Sequence, residues 1–458
     1  MSDVPSHVVT SGVLNSTAIF GYTYESGIDP ASIQWDSLTH LVLAFFAVDG
    51  SGSVSTNSKT IGQLVAAAHK NNVKVLASIG GDGDASVSLA KALGASASRT
   101  KLANSLVAAI KAHKLDGIDY DLEFPETPQQ INDLYLGLNT MRAALDASFE
   151  EDTKTLTMTL YSSNGKFGPK VKQVDAKPFS DLVDFGLLMS YDYFGSFSEI
   201  SAPNSPFYDV KNHPGLSFTS SIDAWLRAGW DAEKLVAGMP FYGRTSIVMS
   251  AGSSGTQFMK NTHETPPSGP ISKITGAWTW ADLRDPKNGA LSKSDAPQSG
   301  WQRFWDNATM TPWLLHSESQ TYIGYDDPDS LTVKANHVIR KGLGGLMVWM
   351  VQYDYKNELS SVVDEYSAAC NRIARQARAE QDSLDDDDES SDSDSDESSD
   401  DSDDSDDGDD SDDDDDDDGE SNEGDDLDDP ESGASRRGHP ILWSLQLVAA
   451  AVAIAQLV

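Results

Sequence analysis

The chain has 458 residues and a formal net charge of −39, and most of that charge lies in one segment. Residues 382–431 contain 32 Asp or Glu and no Lys or Arg, whereas residues 1–381 carry 40 acidic against 31 basic residues. A mildly acidic front part excludes the basic surface that nucleic-acid binding requires, so we expect no nucleic-acid partner. The single cysteine, Cys370, excludes an intramolecular disulfide, and the fold must depend on its apolar core.

Apolar, β-rich runs alternate with helical patterns from about residue 18 to residue 380. The predicted strands are residues 18–24, 38–48, 73–80, 117–124, 156–162, 185–193, 235–242 and 345–351. The predicted helices include residues 61–69, 99–113, 129–147, 220–228, 332–341 and 359–379. Eight such βα units predict an α/β fold, a (β/α)8 TIM barrel over residues 18–380. A doubly wound open sheet is the main alternative, but no G-x-G-x-x-G motif opens a helix here.

The gap between the seventh and eighth predicted strands, about residues 245–325, is too long for a plain βα connection. We interpret it as an inserted subdomain beside the mouth of the barrel, where the strands end. Its tryptophans are either core residues or platforms for sugars, and we expect core packing for most of them: Trp278, Trp280, Trp301, Trp305 and Trp313.

Residues 116–123, DGIDYDLE, place three carboxylates at a spacing of two. On a strand, Asp119, Asp121 and Glu123 would share one face and the apolar residues between them the other. Three acids on one face repel each other and resist desolvation, which predicts a proton held between carboxylates and a raised pKa for one of them. Glu123 is the outermost of the three and would act as an acid on a substrate.

Two other interpretations of this run are a solvated acidic strand edge and a calcium-binding loop. A calcium loop needs a glycine at its sharp turn and oxygen ligands spread over twelve residues. The residues between the acids are instead Ile, Tyr and Leu, which favour a buried strand. We therefore favour catalysis, and we expect no metal ion and no other cofactor.

Residues 381–431 are almost wholly Asp, Ser, Glu and Gly. Such a segment cannot bury enough apolar surface to offset the entropy of ordering, which predicts a disordered acidic tail that serves as a stalk. Binding of calcium or mineral, and phosphorylation at its Ser-Asp pairs, are the functional alternatives to a solvated spacer.

Residues 432–458 resemble a signal for a glycosylphosphatidylinositol (GPI) anchor. Small residues begin at Ser432, the candidate attachment site, and an uncharged apolar tail covers residues 441–458. This order predicts an extracellular protein at the cell surface, joined to the membrane through a lipid anchor or the apolar tail. A tail-anchored transmembrane helix and a buried helix are the alternatives. The N-terminal segment, residues 1–17, lacks the apolar core of a signal peptide, so an incompletely defined start or unconventional export is also considered.

Other predicted strands end in short motifs, and catalytic residues of a barrel lie at the carboxyl ends of its strands. The motifs are SIGG at 78–81, MSYDY at 189–193 and GGLMVW at 344–349. Together with the run at 116–123 they resemble the family 18 glycoside hydrolases, the chitinase family. That family's signatures are S-x-G-G, D-x-x-D-x-D-x-E, M-x-Y-D and G-G-x-M-x-W. The resemblance spans about residues 18–365, with four motifs in the family's order.

The resemblance implies a chitinase that hydrolyses β-1,4-linked N-acetylglucosamine polymers by a retaining, substrate-assisted mechanism. Glu123 would protonate the glycosidic oxygen while the substrate's own N-acetyl carbonyl attacks the anomeric carbon. Asp121 would hydrogen-bond Glu123 and the acetamide N–H, and Asp119 would share a proton with Asp121. Tyr191 would donate its hydroxyl to the acetamide oxygen.

By the same resemblance Trp349 would stack on the pyranose ring, and Asp192 would contact the sugar. Further residues expected to bind the substrate or brace the site lie at other strand ends: Met189, Tyr242, Arg244, Tyr22 and Phe45. Leu122 and Phe124 stand where many chitinases have Trp and Tyr, so the packing behind the strand differs from the common pattern.

The expected partner is chitin or a chito-oligosaccharide, and we expect a monomer. An endo-β-N-acetylglucosaminidase acting on N-glycan cores would use the same chemistry. A lectin-like relative would bind chitin without cleaving it, but such relatives typically lose the terminal glutamate, which is present here as Glu123. A surface scaffold whose acidic stalk binds cations is a further alternative.

Overall fold

The computed structural model describes residues 17–24, 28–56, 59–150, 153–163, 165–249 and 258–389. The strands are β1 (Ala18–Tyr24), β2 (His40–Val48), β3 (Val54–Ser55), β4 (Lys74–Gly81), β5 (Gly117–Leu122), β6 (Thr155–Leu160), β7 (Phe185–Leu188), β8 (Leu235–Pro240), β9 (Tyr242–Ile247), β10 (Ala277–Thr279), β11 (Leu291–Lys293), β12 (Ala296–Pro297), β13 (Trp301–Asp306), β14 (Thr311–His316), β15 (Thr321–Gly324) and β16 (Gly345–Trp349). The α-helices are α1 (Ile61–Lys70), α2 (Gly83–Leu93), α3 (Ser96–His113), α4 (Pro128–Ser148), α5 (Lys177–Leu182), α6 (Phe218–Arg227), α7 (Trp280–Leu283), α8 (Pro328–Lys341) and α9 (Ser360–Glu389).

Of the described strands, eight form one closed parallel sheet in the order β1-β16-β8-β7-β6-β5-β4-β2. Pairing of β1 with β2 closes this sheet into a barrel, and the short β3 adds antiparallel to β2 at its edge. Helices connect successive barrel strands, because parallel neighbours require a crossover. The predicted (β/α)8 TIM barrel is therefore confirmed.

Alternation along the barrel strands separates an outer and an inner layer of side chains. On β5, Ile118, Tyr120 and Leu122 are buried in the outer layer, where they share one apolar cluster with helix residues such as Leu134 and Leu138. The inner layer contains Phe20, Tyr22, Val42, Leu76, Leu187 and Met347. Since the apolar face of β5 is turned to the helices, its acidic face is turned into the barrel.

A second sheet follows β8 almost directly and is antiparallel, in the order β10-β9-β15-β14-β13. This sheet runs from Tyr242 to Gly324, so the inserted subdomain between the seventh and eighth barrel strands is confirmed, although it begins before the predicted residue 245. Trp278, Trp280 and Trp313 are buried, whereas the remaining two of its five tryptophans are partly exposed. Core packing thus accounts for three of the five.

Five barrel strands end earlier than predicted: β5 ends at Leu122 instead of residue 124, β6 at Leu160 instead of residue 162, and β8 at Pro240 instead of residue 242. Strand β7 ends at Leu188 instead of residue 193, and β16 ends at Trp349 instead of residue 351. Beyond β7 the chain turns, and Asp192 has a φ of +61°, in the left-handed region that a strand cannot contain. The motif at 189–193 is therefore a loop at the barrel mouth and not a strand end.

Helix α9 continues to Glu389 and so extends into the segment that was predicted to be disordered from residue 381. The predicted helix ended at 379 because the apolar periodicity stops there, but residues 376–381, QARAEQ, are all strong helix formers. Residues 390–431 of the predicted stalk, the apolar tail, Ser432 and residues 1–16 lie outside the described residues. In the part of the chain that is described, no helix is long and apolar enough to cross a membrane.

Candidate active site

Asp119 lies deepest of the three acids that β5 turns into the barrel, and its side chain is completely buried. Its carboxylate accepts hydrogen bonds from the hydroxyls of Tyr22 at 2.8 Å, Ser78 at 2.7 Å and Thr157 at 2.7 Å. Burial raises the pKa of Asp119, while the hydrogen bonds oppose that rise because they favour the ionised form. Three barrel strands, β1, β4 and β6, thus converge on one buried carboxyl.

Asp121 occupies the next layer towards the mouth, and its carboxyl accepts a hydrogen bond from Thr159 at 2.6 Å. Burial, followed by the negative charge of Asp119, raises the pKa of Asp121 to about 8. The carboxyls of Asp121 and Glu123 share a hydrogen bond, which raises the pKa of Glu123 and lowers that of Asp121. This hydrogen bond is consistent with a proton shared by Asp121 and Glu123, while the carboxylate of Asp119 accepts from three hydroxyl donors. That Asp119 shares a proton with Asp121 stays a prediction.

Glu123 follows the last residue of β5 and keeps part of its surface open at the barrel mouth. Desolvation raises the pKa of Glu123 well above its ordinary value, and the charges of Asp121, Asp82 and Asp192 raise it further. Such a shift favours the protonated form of the Glu123 carboxyl. Glu123 can consequently deliver a proton to a bound molecule, as a general acid must.

Ser86, on the first turn of α2, fixes the backbone at Glu123. The N–H of Glu123 donates to Ser86 Oγ at 2.6 Å, and the Ser86 hydroxyl donates to the carbonyl oxygen of Gly81. Ser86 is buried, so the same hydroxyl satisfies two backbone groups that water does not reach. One side chain therefore ties the ends of β4 and β5 together at the acid.

Gly80 and Gly81 allow β4 to approach its neighbours closely. A Cβ at Gly80 would lie 2.0 Å from the carbonyl oxygen of Asp121, and a Cβ at Gly81 would lie 2.9 Å from the ring of Phe45. Both glycines also have positive φ, +103° and +91°, which residues with a side chain rarely adopt. The S-x-G-G motif thus supplies a buried donor at Ser78 and space for the acids and for Phe45.

Tyr191 and Asp192 lie on the loop after β7. The buried Tyr191 hydroxyl donates to the sulfur of Met347 at 3.7 Å, and a thioether is only a weak acceptor. Asp192 accepts a hydrogen bond from the Tyr242 hydroxyl at 2.6 Å and two from the Arg244 guanidinium at 2.6 and 2.5 Å. The Asp192 charge is therefore held by the inserted subdomain, whereas the Tyr191 hydroxyl is available for a better acceptor.

Asn204 locks this loop against the inserted subdomain. Its side-chain oxygen accepts from the N–H of Asp192 at 3.0 Å, and its side-chain nitrogen donates to the carbonyl of Tyr242 at 3.1 Å.

Burial raises the pKa of Tyr191 well above its usual range, and nearby carboxylates add to that effect. Tyr191 consequently keeps its proton, and so remains a hydroxyl donor, at a pH at which an exposed tyrosine would ionise.

Trp349 forms an aromatic surface at the end of β16. Its ring lies 5.2 Å from that of Tyr22 and 6.1 Å from that of Phe45, with an interplanar angle of 27° to Phe45. Trp349, Phe45 and Met189 are partly buried and pack against the inner apolar layer. Among the described residues, non-proline cis peptide bonds occur within β2 at Ala44–Phe45, just after β5 at Glu123–Phe124 and at the end of β16 at Trp349–Met350.

The structure thus gathers inside the barrel and at its mouth all eleven residues that the sequence analysis named for catalysis or substrate binding. Sequence reasoning missed four polar residues that hold them: Ser86, Thr157, Thr159 and Asn204. Among the described residues, no group of three or more His, Cys, Asp or Glu side chains is arranged to hold a metal ion.

Comparison with known proteins agrees with this geometry. Residues 18–354 match the family described as Glycosyl hydrolases family 18. Chitinase B of Serratia marcescens is 25% identical over 426 residues, covering 80% of this chain and 83% of its own length. A chitinase-like effector of Moniliophthora perniciosa is 28% identical over 399 residues, covering 77% and 88%. The crystal structure of a GH18 chitinase from Cycas revoluta in complex with (GlcNAc)3 has the same fold, with a TM-score of 0.66 at 22% identity, covering 76% of this chain and 99% of that one. Because the family match extends over most of the chain, the protein belongs to glycosyl hydrolase family 18.

Proposed function

We propose that this protein is a chitinase that hydrolyses β-1,4-linked N-acetylglucosamine polymers with retention of configuration. The observation that carries the proposal is the pair of acids at the end of β5. Glu123 at the mouth, whose pKa is raised by burial and by the charge of Asp121, shares a hydrogen bond with Asp121, behind which Asp119 is buried. Family membership and the chito-oligosaccharide in the Cycas revoluta complex support the same substrate class.

In the first step Glu123 gives its proton to the glycosidic oxygen, and the bond from that oxygen to the anomeric carbon breaks. The carbonyl oxygen of the substrate's acetamide forms the new bond to the same carbon, which produces an oxazolinium ion. The Glu123 carboxylate then removes a proton from water, and the water oxygen opens the oxazolinium ring at the anomeric carbon. Two inversions at one carbon give net retention.

Asp121 stabilises the positive charge that develops on the oxazolinium nitrogen, since it lies beside Glu123 in the same inward-facing row. Behind Asp121, Asp119 provides a second carboxyl, which carries either a negative charge or a proton. The Tyr191 hydroxyl donates to the acetamide oxygen and orients it for attack, exchanging its weak bond with Met347 for a stronger one. Asp192 supports this loop through Tyr242 and Arg244.

Trp349 holds the sugar through the apolar face of its pyranose ring. Sugar C–H groups pack well on an indole, and such burial contributes roughly 1–3 kcal/mol. The neighbouring rings of Tyr22 and Phe45 fix the orientation of the indole. A flat stacking surface beside the acid favours a linear sugar chain as the substrate.

Binding of chitin without hydrolysis is the second candidate, because a relative is named a chitinase-like effector. Replacement of Glu123 by Gln keeps the shape of the side chain and removes the proton donor. For a chitinase, kcat on N-acetylglucosamine oligomers should fall by roughly 10²- to 10⁴-fold while oligomer binding is retained. Absence of hydrolysis by the unaltered protein, combined with oligomer binding, would instead establish the binding function.

The endo-β-N-acetylglucosaminidase alternative is separated by product analysis. N-acetylglucosamine oligomers and an N-glycopeptide are offered to the same preparation, with E123Q as the control in each arm. A chitinase cleaves the oligomers and leaves the glycopeptide core intact. Cleavage of the glycopeptide alone would contradict the proposed substrate.

A further inference from the structure

Asp82 stands beside the catalytic acid at the mouth of the barrel. It follows Gly81, the last residue of β4, and Gly81 is paired in register with Leu122 on β5. One step further along both strands, Asp82 comes level with Glu123. Its side chain is exposed, and although Asp82 precedes α2 it makes no capping hydrogen bond to that helix. The described part of the structure therefore shows no stabilising contact that would explain this carboxylate.

The charge of Asp82 reaches the acids of the site. It contributes to the raised pKa of both Asp121 and Glu123, after burial and the nearer carboxylates. Asp192, a further carboxylate that acts on Glu123, forms an ion pair with Arg244. Among the described residues no basic side chain forms an ion pair with Asp82. The mouth thus presents one exposed negative charge next to the proton donor.

Chemistry determines which part of a substrate meets that charge. The acid protonates the oxygen that leaves with the departing sugar, so an exposed group beside the acid adjoins the leaving-group side of the bond. The acetamide is needed only on the sugar whose anomeric carbon is attacked. The departing sugar can therefore be deacetylated without loss of the mechanism, and glucosamine then carries an ammonium group. An exposed carboxylate attracts such a cation through its full charge, whereas an acetamide offers it only a neutral N–H donor.

We propose that Asp82 is a specificity-determining residue that selects glucosamine on the leaving-group side of the scissile bond, which makes partly deacetylated chitin the preferred substrate class. This inference rests on the proposed chitinase function. It concerns only the choice of the neighbouring sugar and not the bond-breaking step.

The test digests one partly deacetylated chitin polymer with the full chain and its variants. The measurement is the ratio of glucosamine to N-acetylglucosamine at the newly formed non-reducing ends, determined by mass spectrometry. Each ratio is internal to one digest, so differences in overall rate between variants do not affect it. Asp82→Asn should lower the glucosamine share about two- to fivefold, the range expected for one exposed ion pair. High salt should lower the share for the unaltered protein in the same way.

Asp84→Asn is the matched control, because Asp84 is an exposed acid on the first turn of α2 and is not among the main causes of the raised pKa values of Asp121 and Glu123. This variant should keep the original ratio. An equal glucosamine share for the unaltered protein and D82N would overturn the inference. A parallel digest of fully acetylated oligomers reports on the proposed function separately. If the unaltered protein cleaves neither substrate, the proposed function fails and this inference fails with it.

Discussion

The proton shared by Asp121 and Glu123 determines the pH range over which the site can work. Hydrolysis needs Glu123 protonated, and the charge of Asp121 together with its hydrogen bond raises the pKa of Glu123. Activity should therefore extend to higher pH than an ordinary glutamic acid would allow, and it should decline once Glu123 loses its proton. Asp121→Asn removes that charge, so the pKa of Glu123 should fall and the alkaline limb should move to lower pH.

The pH dependence of kcat/KM for the unaltered protein and D121N checks this prediction, since that quantity reports the free enzyme. The overall rate of D121N should also be lower, because the oxazolinium ion loses its counter-charge. The direction of the limb is the decisive readout. A limb that stays in place or moves to higher pH would show that Asp121 does not control the proton of Glu123.

Ser86 is predicted to be a positioning residue for the acid. Ser86→Ala leaves the buried N–H of Glu123 and the carbonyl of Gly81 without their shared partner. We expect kcat to fall about tenfold, equivalent to ~1.4 kcal/mol, with little change in KM. Ser86→Thr keeps the hydroxyl and should restore most of the rate.

Ser180→Ala provides the matched control for Ser86. Ser180 is equally buried and its hydroxyl bonds Asp231, but it lies on α5 near the starts of β7 and β8, far from the mouth. The control should lose stability in urea denaturation and keep its kcat. Equal losses of kcat in S86A and S180A would show that Ser86 contributes to the stability of the fold and does not position the acid.

The alternation of side chains along β5 made the row of acids predictable from sequence. Not all of the hydrogen-bond partners of those acids could be predicted in the same way. Thr157 and Thr159 share one face of β6, so register with β5 could have identified them. Ser86 and Asn204 contact the site from a helix turn and a loop, and no local pattern marks such contacts. Nor does a period of two distinguish Asp119 from Glu123 as the proton partner of Asp121, because both lie on the same face.

At the scale of elements, the close approach of β4 to β5 depends on Gly80. A Cβ there would lie 2.0 Å from the carbonyl oxygen of Asp121 and 2.9 Å from a methyl of Leu89. Gly80→Ala should therefore destabilise the protein by at least about 2–3 kcal/mol and reduce activity, because β5 must move. Urea denaturation and the rate on N-acetylglucosamine oligomers measure the two effects.

Gly83→Ala is the control for this crowding. Gly83 also has a positive φ, +58°, but a Cβ there meets no heavy atom within 4 Å. The substitution should cost only about 1 kcal/mol, the penalty of the backbone conformation. If Gly80→Ala were as mild as Gly83→Ala, the tight packing of the two strands would not be a requirement of the site.

Barrel strands were predictable because each is a short apolar run between turn signals. Helix α2 was not predicted, because its sequence, GDASVSLAKAL, is rich in small and polar residues. Its position depends on the burial of Leu89 and Leu93 against neighbouring elements. The early end of β7 escaped for another reason. The run to residue 193 is apolar and aromatic enough for a strand, but tertiary contacts of Asp192 with Arg244 turn the chain away.

Over the whole molecule, the chemistry and the charge are carried by different segments. Every residue of the candidate site lies between residues 17 and 389, and α9 is joined to the barrel by buried side chains of its first half: Val362, Val363, Tyr366 and Cys370. We propose that the acidic segment, whose composition predicts a stalk, separates the barrel from a membrane to which residues 432–458 attach the chain through a lipid.

A chain that ends at residue 389 tests whether catalysis and membrane attachment are carried by separate segments. Expressed in cells that make GPI anchors, the shortened protein should appear in the medium with an unchanged kcat, because the removed part contributes no site residue. The full chain should stay with the cells until a phosphoinositide-specific phospholipase releases it. Retention after that treatment would favour an apolar tail that spans the bilayer. A lower kcat for the shortened protein would show instead that the acidic segment takes part in catalysis, since its negative charge is the largest in the chain.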